Sequence, residues 1–254
     1  MTLLAVERIK LRSTRSAWCC AALAVALTLT FAAMFAAGSA TTAPVTVTST
    51  QFGSGVGLLI VMVMATLAVT TEYRYGTIRA TFVAAPRRTQ VLLAKAAVVA
   101  LISAVLGELC SFGSVAAAKL AVPTADLAID TPFEWRAVAG TGLVFALAGT
   151  FAVAIGALVR HSAGAIALLI GYTQGAEQLV QFIPKAGPAI HHWLPFNVGN
   201  KFLTGDADPI TANAHDGLPP SDATLGPWPA LIYFAGFTAL ALGAALVTTA
   251  KRDA

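Results

Sequence analysis

Residues 71–95 read TEYRYGTIRATFVAAPRRTQVLLAK and gather Glu72, Arg74, Arg79, Arg87, Arg88 and Lys95 in a chain that is only 11% charged. Tyr75, Ile78 and Phe82 recur at i, i+3 and i+7, the spacing of one side of a helix, while Arg74, Thr77 and Thr81 lie away from that side. The pattern predicts a short amphipathic helix at a membrane surface. Glu72 near its start and Arg79 further along suit the helix dipole, Gly76 leaves a point of close approach, and Pro86 ends the helix. Two chemistries fit: arginines that contact lipid phosphates, or a docking surface by which a protein partner grips a helix tied to its flanking spans.

A second polar group, Tyr172, Gln174, Glu177, Gln178 and Gln181, lines about three turns of helix, and Glu108 is a further acid within an apolar run. An ionised carboxylate in hydrocarbon is expensive, so both glutamates must face protein, a cavity or water, or carry a proton. They fit a translocation path or gate. They also fit an interhelical hydrogen-bond cluster that holds a dimer together.

Other constellations carry less. His191 and His192 lack a third ligand at convincing metal-site spacing from Asp206 or Asp208, and interfacial histidines beside Trp193 account for them. Gly53, Gly55 and Gly57 lack the strand-turn-helix setting of a dinucleotide loop, so close helix packing is their expected use. Cys19, Cys20 and Cys110 stand in apolar surroundings and are expected to pack as small apolar residues. No GxxxxGK[ST] loop and no linked Ser, His and Asp set occurs. The expectation is a chain that is no enzyme and binds neither metal nor cofactor itself; an integral-membrane enzyme using His191, His192 and nearby aspartates has no catalytic constellation behind it.

The elements that position these groups follow from composition. With 57% hydrophobic residues and a mean hydropathy of +0.76, the 254 residues exceed what one soluble core can hide. Six runs approach the roughly 20 residues that cross about 30 Å of hydrocarbon as helix: 18–37, 55–71, 91–118, 135–159, 163–183 and 228–250. The second is short unless Phe52 and Gly53 lengthen it, and the third is long enough to tilt or bend at Gly107 or Gly113. The predicted fold is an all-α membrane protein of six transmembrane helices, one domain over 1–254. With both termini cytoplasmic, Arg8, Lys10, Arg12, Arg15, Arg74, Arg79, Arg87, Arg88, Lys95, Arg160, Lys251 and Arg252 share that side, twelve of the 16 basic residues. The net charge of +4 therefore reads as membrane orientation, and no basic soluble domain points to nucleic acid.

The apolar run 18–37 and its basic lead are longer than a signal peptide needs, so an uncleaved first span is expected. The uncharged segment 38–54, with its VTVTST, suits an extended stretch or a dip into the interface, and Thr131-Pro132 followed by Glu134 marks a helix start. Within the outer region 184–227, AIHHWLPFNVGNKFL predicts a short interfacial helix interrupted at Pro195. Six spans make a thin wall around a solute path, so a dimer is the physical expectation.

The loop, behind an amino terminus of the form ERIKLRSTRSAW, resembles the permeases of the ABC-2 transporter family, especially the short actinobacterial and firmicute type. The likeness rests on Glu72, Arg74, Gly76, Thr77 and the Ala85-Pro86-Arg87-Arg88 turn, with Lys95 entering the next helix, and it extends over the chain in span number, spacing and orientation. It implies a permease subunit in a bacterial plasma membrane, paired with a second copy or a paralogous permease. It further implies a dimer of cytosolic ABC ATPase subunits that hold the ATP and Mg. Arg8, Arg12 and Arg15 would share a face of an interfacial elbow helix. Glu72, Arg74, Tyr75, Gly76, Thr77, Ile78, Arg79 and Phe82 would belong to a coupling helix over 72–84 seated in the ATPase. Short re-entrant or interfacial helices over 182–202 would form an outer gate before the last span. The implied activity is export of an amphiphilic or hydrophobic compound by alternating access; a non-transporting sensor or immunity subunit would use the same docking.

Overall fold

The computed structural model describes residues 3–39, 44–77, 88–205 and 221–252, and every regular element among them is helical. A short helix α1 (Leu3–Ser13) breaks at Thr14, and α2 (Arg15–Ser39) begins at once. The segment after it dips into the protein as a 3-10 turn (Ser49–Gly53) whose Ser49, Thr50 and Gln51 are buried. The buried Gln51 amide donates to the Ser111 backbone carbonyl and accepts from the Ser111 hydroxyl, which satisfies polar groups that would otherwise be stranded.

From that turn runs α3 (Ser54–Arg74), and turn and helix together, Ser49–Arg74, make a second crossing of 26 residues, lengthened by the turn that holds Phe52 and Gly53. Helix α4 (Arg88–Ala121) has 34 residues, about 51 Å at 1.5 Å per residue, and overshoots the hydrocarbon. It is one unbroken helix. Gly107 serves packing, since a Cβ there would stand 2.9 Å from Phe145, and Gly113 lies against Leu29 in the same way. Thr131 and Glu134 form a reciprocal capping box that starts α5 (Pro132–Ala139), which continues past Gly140 into α6 (Thr141–Val159).

The expected crossing at 163–183 is divided. Helix α7 (Ser162–Ile170) passes into a π-helical turn (Gly171–Ala176) and then the single turn α8 (Glu177–Val180). Two further short helices, α9 (Gly187–His191) and α10 (Pro195–Thr204), are separated just ahead of Pro195, as expected of a residue that cannot continue a helix. The last helix is α11 (Pro227–Arg252).

Among the described residues, five helical stretches are long and apolar enough to cross a membrane: Arg15–Ser39, Ser49–Arg74, Thr89–Ala121, Pro132–Val159 and Pro227–Lys251. The protein is a multi-pass membrane protein. Helix α6 is the hub, packed by α3, α4 and α11, with α2 against α3 and α4. Met62, Val99, Phe151 and Phe234 are buried in its main core. Gly53 and Gly57 let α2 approach the start of α3, whereas Gly55 faces open space. Trp18, Met34, Ile232 and Leu240 point outward from α2 and α11, where lipid replaces water as their solvent.

Candidate functional site

One end of the bundle collects four charges from three elements. Glu7 of α1, Glu72 in the last turn of α3 and Lys95 in the second turn of α4 are all buried, with Lys10 of α1 at the margin. Lys95 Nζ donates to Glu72 Oε1 at 2.9 Å and also to Glu7 Oε2. Lys10 Nζ donates to Glu7 Oε1 at 3.0 Å and to Glu72 Oε1 at 3.1 Å. Two carboxylates and two ammonium groups thus form a formally neutral ring joining α1, α3 and α4. Burial works against the Lys10 ammonium, but hydrogen bonds and charge from Glu7 and Glu72 together outweigh it and hold its pKa above the ordinary lysine value.

Sequence reasoning singled out Glu72 and Lys95 but missed Glu7 and Lys10. A signal was there: Glu7 is the one acid ahead of the first span, among the four basic residues Arg8, Lys10, Arg12 and Arg15. Its placement one helical turn before Lys10 allows a pair within α1. The ring also revises the role of Glu72. It does not start a surface helix but closes a membrane span, where the dipole disfavours an anion and two lysines supply the compensation.

The same revision reaches the loop. Tyr75 caps α3, its N–H donating to Thr71 O at 2.9 Å, and Gly76 turns the chain at φ 71, a conformation that glycine adopts without strain. Among the described residues nothing lies within 4 Å of a Cβ placed at Gly76, so there it is the backbone turn that needs glycine. Arg74 is exposed and lies over the Tyr75 ring at 5.7 Å, and Thr77 follows the turn. Ile78, Arg79 and Phe82 lie outside the described residues. Arg8 and Arg12 are exposed on α1, while Arg15 opens α2 beyond the break at Thr14, so the three do not share one helix. Next to this end, Arg160 adopts φ 58 at the close of α6 and stacks 4.9 Å from the Tyr73 ring, and Ser162 and Thr70 hydroxyls meet at 2.9 Å.

Toward the opposite end, Glu177 is buried and has one dedicated use. Its carboxylate accepts from the backbone N–H of Phe196 at 3.2 Å and of Asn197 at 3.1 Å, capping the start of α10 from another helix. Phe196 contacts the rings of Phe151, Tyr172 and Phe234, so α10 begins deep, near the middle of α6. It climbs outward to Phe202, which meets Trp228, while Arg136 Nε donates to Phe202 O at 2.9 Å. Tyr172 stands beside the carboxylate, while Gln174, Gln178 and Gln181 are exposed. The expected five-residue cluster is therefore two groups. Glu108 lies apart from both, its carboxylate against Gly142 on α6.

The histidines also have partners. His191 Nδ1 is 2.9 Å from Asp222, His192 Nε2 is 3.4 Å from it, and Asn197 Nδ2 donates to the same carboxylate at 2.6 Å. Burial pushes the Asp222 carboxyl up, but hydrogen bonds from His191 and Asn197 and the nearby imidazoles outweigh it and leave it below the usual aspartate range. Asp206 and Asp208 lie outside the described residues. No group of three metal-ligating side chains occurs among the described ones.

A family model described as ABC-2 family transporter protein matches residues 3–175, about two thirds of the chain. A search of curated proteins returned no match. The chain belongs to the ABC-2 transporter family, as a permease of its type, and the matched region contains all four members of the charged ring.

Proposed function

We propose that this ABC-2 permease exports an amphiphilic or hydrophobic compound by alternating access, two copies or two paralogues forming the path and separate cytosolic ATPases supplying all hydrolysis. Membership of the family supports the permease role and the association with an ABC ATPase. In this reading the end that carries the charged ring faces the cytoplasm of a bacterial cell, and both termini lie there. The helical run from Ser162 through Val180 serves as a sixth crossing, its π-turn notwithstanding, which gives the even number that this topology requires.

The observation that carries the coupling role is the ring itself. Glu72 immediately precedes the loop proposed to dock the ATPase, and the ring ties it to the elbow helix α1 and to α4. A push on the loop then moves three elements as one body, because opening the ring would strand buried charge. Glu177 and α10 form the outer gate, with the carboxylate acting as a fixed cap rather than as a cargo ligand.

Reconstitution with the cognate ATPase in sealed vesicles tests this. Substitution of Arg74, Gly76 and Arg79 is expected to abolish the response of ATP hydrolysis to the permease and to stop flux. An unchanged hydrolytic response would remove the loop from coupling. Intact coupling with no flux of any amphiphile would favour the sensor or immunity reading instead.

A further inference from the structure

We propose that the cavity between α1, the start of α2 and the end of α3 binds a lipid headgroup carrying a primary ammonium beside its phosphate, as phosphatidylethanolamine does. The cavity has a volume of about 260 Å³, and its lining mixes apolar Met64, Leu67 and Ala68 with polar Lys10, Ser16 and Glu72. That is the share of about nine waters, enough for a headgroup and too mixed in polarity for a simple water pocket.

Glu72 specifies the chemistry. Its Oε1 takes both lysines, whereas Oε2 is buried and has no hydrogen-bond partner among the described residues. A buried carboxylate oxygen without a donor is costly, and the cavity that Glu72 lines is where a donor can enter. The charge balance selects the kind of donor. The ring is formally neutral, so an anionic headgroup would add an uncompensated negative charge beside Glu72, whereas a zwitterion adds no net charge. A primary ammonium offers three N–H donors to Oε2; a choline group offers none. Lys10 on the same wall supplies the cation beside which a phosphate can lie.

The surroundings match a bilayer's headgroup depth. Trp18 and Tyr75, both strongly exposed, flank this region as interfacial aromatics do, and Trp18 Nε1 donates to Arg12 O at 2.8 Å. The cavity therefore opens where apolar chains give way to polar groups. The site requires only that the chain lie in a bilayer, so its failure and the failure of the coupling reading are separate results.

The full-length chain, reconstituted in nanodiscs of equal phosphatidylethanolamine, phosphatidylcholine and phosphatidylglycerol, is released gently and its retained lipids are counted by native mass spectrometry. Phosphatidylethanolamine is expected to exceed phosphatidylcholine by about tenfold. Glu72→Gln should cut that preference, and Ser16→Phe, placed on an exposed wall position away from the ring, should abolish it. Equal retention of the two zwitterionic lipids, a preference for phosphatidylglycerol, or no retained lipid overturns the site. So does a preference that survives Ser16→Phe, which decides alone if Glu72→Gln does not fold.

Discussion

Glu7 and Glu72 at one end of the bundle and Glu177 toward the other are all nine-tenths buried or more, yet they are stabilised by different means. The first two face ammonium groups of Lys10 and Lys95; Glu177 faces the backbone N–H groups that open α10. A charge ring is intolerant, because losing one member leaves the others buried and unbalanced. A helix cap is graded, because backbone donors are dipoles that water or a neutral acceptor can also satisfy. The ring thus suits a joint that must move as one piece, and the cap suits an element that shifts.

The largest expected effect breaks the ring. Lys95→Met should cost about 3–5 kcal/mol, since it leaves two buried carboxylates to share the single ammonium of Lys10. Thermal unfolding in detergent would read this as a large fall in midpoint or a failure to accumulate folded protein. Adding Glu7→Gln should recover part of the loss. If the double variant is no better than Lys95→Met, the ring members do not act as a unit.

A smaller effect is expected at the cap. Glu177→Ala should cost about 1–3 kcal/mol by leaving two N–H groups without their acceptor, while Glu177→Gln, which keeps one acceptor oxygen, should cost less. The contrast fails if Glu177→Gln is as damaging as Lys95→Met. That result would mean the negative charge itself is indispensable, as a path residue would require.

How far these two ends could be read in advance differs for a physical reason. Composition and run length are local properties, so five crossings and the capping box at Thr131 and Glu134 were legible. The break at Pro195 was legible too, because proline's lost donor is a property of one residue. The ring was half legible. Glu7 and Lys10 sit beside each other, but Lys95 is 88 positions from Glu7, and only packing of α1 on α4 brings them together. Glu177 stood out as a buried acid, yet its ligands are backbone N–H groups, which every residue has and no side-chain pattern reveals. The π-turn at Gly171–Ala176 left no periodic signature either.

The two ends should also answer pH in opposite directions. Lys10 has a pKa raised in the folded protein, so its contribution is fully present below the unfolded value, about 10.4, and is lost as pH rises through the folded one. Lys10 is partly exposed, so the change is a modest one, screened by salt. Unfolding midpoints followed from pH 9 to 11 should fall less steeply for Lys10→Arg than for the unaltered chain, since arginine stays charged across about that range. Equal slopes would detach Lys10 from the ring.

The smallest effect lies at the far end and on the acid side. Asp222 joins His191, His192 and Asn197, and its carboxyl is held below the usual range. A depressed carboxyl contributes stability that is present above its unfolded pKa, about 3.9, and lost as pH falls through its folded value. The group is well exposed, so global unfolding should barely register it, but the local hold on α9 and the start of α10 should. Limited proteolysis between α9 and α10 is the suitable probe, with an acid-active protease across pH 5 to 2.5. Cleavage near Leu194 should rise as the carboxyl protonates, and Asp222→Asn should be open already at pH 5, with a flat profile. An unaltered chain that is as resistant at pH 2.5 as at pH 5 would show that the α10 start is held by Glu177 alone, and the cap end would then rest on one carboxylate where the opposite end needs four charges.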